Sequence, residues 1–117
     1  MADFVEVNGI SSLASGTMKD VMVNGKPVLL ARVGEKYYAA QGRCPHLGGV
    51  LANGELKGTI VQCPRHGSQF DLTDGHNVRW TRGSGLYYEL SKTLKSPRPL
   101  SIYEVKVEEG KILVKTS

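Results

Sequence analysis

Two short segments, each with one cysteine and one histidine, constrain this chain more than any other feature. Cys44 and His46 stand in the run Cys-Pro-His-Leu-Gly-Gly, and Cys63 and His66 stand in the run Cys-Pro-Arg-His-Gly-Ser, with sixteen residues between His46 and Cys63. The proline and glycine content of both runs predicts loops rather than strands or helices. Because the chain has only two cysteines and each has a histidine close by, the pairing favours a metal site over a disulfide.

The donor types in these loops favour iron in two unlike environments. Thiolates are soft, charge-rich ligands that stabilise ferric iron, whereas neutral imidazoles favour the ferrous state of the iron they bind. An iron–sulfur cluster held by two thiolates and two imidazoles would carry no net charge when oxidised and a single negative charge when reduced. Such a site leaves no iron position open for a substrate, which favours electron transfer over catalysis.

Other uses of the same four residues stay open at this point. Two cysteines and two histidines could bind structural zinc, although zinc sites commonly contain a Cys-x2-Cys or His-x3-His pair, and neither spacing occurs here. Cys63 with His66 as base could form a nucleophilic pair, but Cys44 with His46 would then be coincidence. A chain without metal would leave both glycine-containing loops unexplained.

The rest of the sequence predicts an all-β fold of short strands. Asn24-Gly25 is the dipeptide best suited to a two-residue hairpin turn, and Gly34-Glu35 and Glu109-Gly110 separate further β-rich runs. Many short strands with regular turns are typical of a small sandwich or barrel. The strands are expected at residues 4–7, 18–23, 26–33, 36–40, 59–62, 69–72, 101–107 and 111–115.

Charge and hydropathy limit the classes of partner. The net charge of +4 arises entirely from residues 76–117, which contain eight Lys/Arg and four Asp/Glu, whereas residues 1–75 contain seven of each. No Arg/Lys run with interleaved aromatic residues is present, so we expect an acidic docking surface on a protein partner rather than nucleic acid. No signal sequence or membrane-spanning apolar run is readable, which predicts a cytoplasmic protein without a membrane partner.

The full motif resembles the Rieske family, in particular its small ferredoxins. Further similarity lies at residues 4–7, 18–33, 70–71, 74–75 and 99–107. The resemblance implies one [2Fe-2S] cluster per chain in a single Rieske domain spanning 1–117. It also implies three stacked antiparallel β-sheets, with a cluster-binding subdomain of two loops, about 43–51 and 63–70, at the tip.

Residue roles follow from the same resemblance. Cys44 and Cys63 would bind the inner iron, and His46 and His66 would bind the outer iron with their edges facing solvent. Around them, Leu47 would cover the cluster, Gly48 and Gly67 would let backbone amides approach the sulfides, and Ser68 would donate a hydrogen bond to cluster sulfur.

Two departures from the high-potential members of the family affect the expected reduction potential. Those members have an extra cysteine in each loop, and the two form a disulfide, whereas Gly49 and Arg65 stand at the matching positions here. They also place a tyrosine hydroxyl near the cluster, where this chain has Phe70. We therefore predict a potential in the lower or middle part of the family range of roughly −150 to +300 mV.

A basic and aromatic segment at about 76–95 is longer than the link that the resemblance implies. It contains Arg79, Trp80 and Arg82, a composition enriched at protein interfaces, although an added strand or a solvated loop is an alternative. The leucine spacing would also permit a short helix at 86–94. His76 has no cysteine nearby and is expected to be an exposed turn residue.

These observations give three hypotheses for function. The first is a one-electron carrier between a reductase and an oxygenase or other redox enzyme, without catalytic residues of its own. The second is a small Rieske subunit of a multi-subunit oxidoreductase, of the nitrite reductase small-subunit type. The third is a zinc-stabilised binding module.

Overall fold

The structure is a computed structural model, and it describes residues 4–7, 13–45, 48–64, 67–79 and 99–116. These residues form ten antiparallel β-strands and one 3₁₀ turn, which confirms the all-β class. The strands are β1 (Val5–Glu6), β2 (Thr17–Val23), β3 (Lys26–Val33), β4 (Lys36–Gln41), β5 (Glu55–Lys57), β6 (Ile60–Gln62), β7 (Gln69–Asp71), β8 (Asn77–Arg79), β9 (Ile102–Glu108) and β10 (Lys111–Lys115), and the 3₁₀ turn spans Leu51–Asn53.

Three hairpins predicted from turn residues are present. β2 and β3 pair around Asn24-Gly25, with Val23 opposite Lys26, and Asn24 and Gly25 both have positive φ, as this type of turn requires. β3 and β4 pair in the same way around Gly34-Glu35. β9 and β10 pair around Glu109-Gly110, where both residues again have positive φ.

The strands fall into the three expected antiparallel groups, β1-β10-β9, β2-β3-β4 and β5-β6-β7-β8, but these groups form two sheets. The first two are joined along one short edge, where Ala39 pairs with Tyr103 and Ala40 pairs with Ile102. The result is one six-stranded sheet, in the order β1-β10-β9-β4-β3-β2, and a separate four-stranded sheet.

Strand β3 separates two hydrophobic cores because its side chains alternate between them. Val28 and Leu30 face the core shared with β1 and β10, here called the distal core, while Leu29 and Ala31 face the other. This second core, here called the site core, joins the six-stranded sheet to the four-stranded one. Its buried members are Leu29, Ala31, Ala40, Cys44, Leu51, Val61, Cys63, Phe70, Leu72 and Leu100.

One predicted boundary needs correction. The second loop ends at Ser68 rather than at 70, because Gln69 and Phe70 pair with β6 as part of β7. The segment at 76–95 begins with β8, so the added strand that the sequence analysis left open for this segment is present at its start. The remainder of this segment, including the suggested helix at 86–94, lies outside the described residues, and within the described residues no helix is long and apolar enough to cross a membrane.

Candidate metal centre

The first loop, here called loop 1, connects β4 to the 3₁₀ turn and is closed by two backbone hydrogen bonds at Cys44. The N–H of Cys44 donates to the carbonyl of Gly49 at 2.8 Å, and the N–H of Gly48 donates to the carbonyl of Cys44 at 2.8 Å. A single β-bridge between Arg43 and Val50 lies outside these bonds. Both backbone groups of Cys44 are therefore held by its own loop.

The second loop, here called loop 2, connects β6 to β7 and has the same closure. The N–H of Cys63 donates to the carbonyl of Ser68 at 2.7 Å, and the N–H of Gly67 donates to the carbonyl of Cys63 at 3.1 Å. The β6–β7 ladder continues to the base of the loop, where Gln62 pairs with Gln69. Each cysteine thus occupies the same position in one of two matching loops.

Both cysteines are buried in the site core. Cys44 is 3 % exposed and Cys63 is 2 % exposed, and neither forms a disulfide. Both thiols pack in one hydrophobic core and lie in glycine-containing loops, and this burial is unlike the partly exposed surroundings of a reactive cysteine.

Ser68 at the end of loop 2 and Phe70 two residues later are buried, as the two cysteines are. Ser68 is fully buried, and it is the one polar residue in that class within the described part of the chain. Phe70 is fully buried in the site core and pairs with Val61 across the β6–β7 ladder. The resemblance matches Ser68 and Phe70 to positions near the cluster, and both lie at the end of loop 2.

Two of the four predicted ligands, the imidazoles of His46 and His66, fall outside the part of the chain that the structure describes. His46, Leu47, Arg65 and His66 lie outside the described residues. Accordingly, the described residues contain no group of three or more histidine, cysteine or acidic side chains that is placed to hold a metal ion. The structure brings together the two cysteines, and the positions of the two histidines remain predictions from the sequence.

His76 is separate from this centre. Its side chain is 57 % exposed, and its Nδ1 lies 2.6 Å from Oδ1 of Asp74. The backbone N–H of His76 donates to the same oxygen at 3.0 Å. These two bonds hold the pKa of Asp74 below its usual value. An exposed turn histidine was expected at this position.

The turn that contains His76 is hydrogen-bonded to a residue of the site core. The carbonyl of Gly75 accepts a hydrogen bond of 2.7 Å from the N–H of Leu100, a member of the site core. Asp71 accepts hydrogen bonds from the backbone N–H and the hydroxyl of Thr73, and both lower the pKa of its carboxyl group. The turn links β7 to β8 along the chain, and its hydrogen bond to Leu100 ties it to the chain that enters β9.

Loop 1 has further supports that the sequence analysis did not identify. Arg43 forms an ion pair of 2.8 Å with Asp20 on β2, and Gln41 donates from its side-chain amide to the carbonyl of Arg43 at 2.9 Å. Both side chains are polar residues next to a predicted metal loop, and that proximity was the only signal in the sequence. A pocket lies beside loop 2 and is lined by Asn53, Gly54, Glu55, Gln62, Cys63 and Pro64.

The two cysteines fit the thiolate half of the ligand set of an iron–sulfur cluster. Two buried thiols in equivalent loops supply two of the four ligands that such a cluster needs. The family model described as the Rieske [2Fe-2S] domain matches residues 3–88. The chain belongs to this family. A Rieske domain implies a [2Fe-2S] cluster, and one cluster per domain is the cofactor of this chain.

Known ferredoxins resemble this chain over almost its full length. Ferredoxin CarAc of Metapseudomonas resinovorans is 29 % identical over 95 % of this chain and 92 % of its own length. The ferredoxin component of the naphthalene 1,2-dioxygenase/salicylate 5-hydroxylase systems of a Ralstonia species is 26 % identical over 97 % of this chain and 95 % of its own length.

Solved structures show the same fold. The ferredoxin of carbazole 1,9a-dioxygenase from Nocardioides aromaticivorans IC177 superposes with a TM-score of 0.76 at 25 % identity, covering 97 % of this chain and 98 % of that one. A chain from a complex of reduced oxygenase and oxidised ferredoxin in carbazole 1,9a-dioxygenase gives a TM-score of 0.75 at 29 % identity, with 97 % and 94 % coverage.

Proposed function

We propose that this Rieske protein carries single electrons from a reductase to an oxygenase, with its cluster bound by Cys44, His46, Cys63 and His66. The observation that carries the proposal is the burial of both cysteines in one core, at equivalent points of two matching loops. When bound, the cluster supplies one reversible electron at a potential raised by its neutral imidazole ligands.

The comparisons support the role of carrier rather than catalyst. The relatives that match over most of their length are named as ferredoxins or ferredoxin components of dioxygenase systems, and one solved structure contains such a ferredoxin with its oxygenase. A site filled by protein ligands and sulfide leaves no open iron position for substrate. The protein therefore acts as a component of an oxygenase system and oxidises no substrate itself.

The chain's own residues have three tasks in this function. The loop bonds hold Cys44 and Cys63 in fixed orientations, so the ligands need not reorganise when the charge changes. The site core excludes water from the cysteine side of the centre. His46 and His66 complete the ligand set, and the resemblance implies that the iron they bind is the one from which electrons pass to a partner.

The proposal also covers extent, location and docking. Residues 1–117 act as one domain, and the two cysteines, which form no disulfide, suit the reducing cytoplasm. The net charge of +4 favours a partner with an acidic docking surface. Transfer to that partner should therefore slow as ionic strength rises above about 0.1 M, where screening shortens the range of electrostatic attraction to about 10 Å.

Substitution of the three histidines tests the ligand assignment. His66→Cys should keep an iron–sulfur cluster but lower its potential, because an anionic thiolate replaces a neutral imidazole. His46→Ala should lose the cluster, as should Cys44→Ala and Cys63→Ala. His76→Ala is the matched control, since His76 is exposed and hydrogen-bonded to Asp74, and it should retain iron, sulfide and potential.

Two results, one on the wild-type protein and one on the variants, would contradict the proposal. One is a wild-type protein, purified from an iron-replete host, that holds zinc in place of iron and acid-labile sulfide. The other is cluster loss in His76→Ala with retention in His46→Ala. A dithionite titration should also give one unpaired electron per chain, and reduced protein should be reoxidised by an oxygenase component but should hydroxylate no aromatic substrate alone.

A further inference from the structure

Gln41 holds the peptide unit that precedes Cys44. Its Nε2 donates to the carbonyl of Arg43 at 2.9 Å, while the N–H of the same peptide unit, on Cys44, donates to Gly49 at 2.8 Å. Both polar groups of this unit are therefore fixed, and the unit cannot rotate without breaking one of the two bonds. Such a rotation would redirect the Cα–Cβ bond of Cys44.

The same amide ties loop 1 to the chain that enters β9. Oε1 of Gln41 accepts a hydrogen bond of 2.8 Å from the N–H of Ser101, and the backbone N–H of Gln41 donates to the carbonyl of Ser101 at 2.9 Å. Each end of the side chain therefore has a backbone partner, one on each of two separate segments. This arrangement fixes the rotamer of Gln41 as well as the peptide unit it holds.

Loop 2 is supported by a strand ladder instead. Its two arms are β6 and β7, and their ladder runs to the pair Gln62 and Gln69 directly beside the loop. The position three residues before Cys63 is Ile60, whose apolar side chain cannot replace an amide. In loop 1, by contrast, β4 ends at Gln41, and no ladder connects the two arms beyond a single bridge.

We propose that Gln41 is a positioning residue of the metal centre, whose side-chain amide sets the orientation of Cys44 as a cluster ligand. The inference rests on the ligand role of Cys44 in the proposed function. In this proposal the side chain of Gln41 stabilises loop 1, as the β6–β7 ladder stabilises loop 2. The geometry of the iron–sulfur bond to Cys44, and the rate at which the cluster is lost, then depend on this amide.

Gln41→Met and Gln69→Met test the role as a matched pair in the holoprotein. Both remove a glutamine amide at the base of a cysteine loop, but Gln69 donates to the side chain of Gln62, and its loop keeps the β6–β7 ladder. Resonance Raman spectra report the iron–thiolate stretching bands, which depend on cysteine orientation. Gln41→Met loses both side-chain hydrogen bonds, and the bond to Arg43 is the one that holds the loop. We expect shifted bands and about fivefold faster iron release to a chelator, as for loss of that one bond, and neither change in Gln69→Met.

A second variant separates the two bonds of the amide. Gln41→Glu keeps an acceptor for Ser101 but loses the donor to Arg43, so its bands should also shift. Unshifted bands in both variants at position 41, or equal shifts in Gln69→Met, would overturn the role of Gln41 alone. A wild-type protein without iron–thiolate bands would instead overturn the proposed function, and this inference with it.

Discussion

Gly48 and Gly67 have the same backbone conformation, with φ of +77° at each, and each donates its N–H to the cysteine carbonyl four residues before it. The two loops are therefore closed identically, although His46 follows its cysteine by two residues and His66 by three. The offset between the histidines is accommodated within a common loop frame. Positive φ at the fourth position after each cysteine is what the frame requires.

Gly48→Ala should weaken this frame through backbone strain alone. A Cβ at Gly48 would meet no atom within 4 Å, so the cost is that of a left-handed conformation, about 1–2 kcal/mol in free energy of unfolding. Gly16→Ala is the control, because Gly16 also has positive φ and open space but lies in the turn before β2. Both variants should lose stability in thermal unfolding, and only Gly48→Ala should release iron faster. Equal iron release in the two variants would contradict a role for the loop frame.

Gly75→Ala should destabilise the protein more than strain can explain. A Cβ there would overlap the carbonyl oxygen of Leu100, and this backbone contact has no flexible side chain that could move aside. We expect a loss of about 3 kcal/mol or more, the sum of strain and overpacking. Gly110→Ala has the same strain in open space and should lose much less. Similar thermal midpoints for the two variants would show that the packing of Gly75 against Leu100 is not tight.

Ser68→Ala should lower the reduction potential. A hydroxyl that donates to cluster sulfur stabilises the more negative, reduced state, and its removal should shift the potential by about −60 mV, equivalent to about 1.4 kcal/mol for one electron. Phe70→Tyr is the reciprocal variant and should raise the potential if its hydroxyl reaches the cluster. Protein-film voltammetry measures both. A potential in Ser68→Ala within about 10 mV of wild type would contradict the assignment of this hydroxyl.

Asp71 should contribute to the pH dependence of stability. Its pKa is lowered first by the backbone N–H of Thr73 and then by the Thr73 hydroxyl. A carboxyl with a lower pKa in the folded state binds fewer protons there than in the unfolded chain. Its stabilisation is therefore complete above the unfolded pKa of about 4 and is lost as pH falls through the folded value. Thr73→Val keeps the backbone N–H and removes only the hydroxyl, so it should raise the Asp71 pKa in a carboxyl NMR titration. An unchanged pKa would contradict the contribution of the hydroxyl.

The strands that the sequence predicted are those with a strong local signal. The pairs Asn24-Gly25 and Glu109-Gly110 mark turns whose flanking residues are β-branched, aromatic or aliphatic, and both hairpins are confirmed. β5 was missed, and β8 was anticipated only as an added strand of no stated position, because each has three residues and one apolar side chain, too little for an alternating pattern to place it. They form by pairing with β6 and β7, a tertiary effect that local sequence does not contain.

Loop 1 and loop 2 were predictable from the sequence for a different reason. Cysteine and histidine are rare in this chain, and their clustering in two proline- and glycine-containing runs is a chemical signal independent of secondary structure. Gln41 was not predictable, because its role depends on Ser101, which is sixty residues distant along the chain. The join between β4 and β9 brings these two residues together, and only the folded structure contains it.

The electron paramagnetic resonance spectrum of the dithionite-reduced protein tests the central claim, a [2Fe-2S] cluster with thiolate ligands on one iron and imidazole ligands on the other. The added electron resides on the imidazole-bound iron in such a cluster. We predict a rhombic signal of one spin per chain, with a mean g value below that of all-cysteine [2Fe-2S] clusters. A mean g value equal to theirs, or no signal from a colourless protein, would contradict the account.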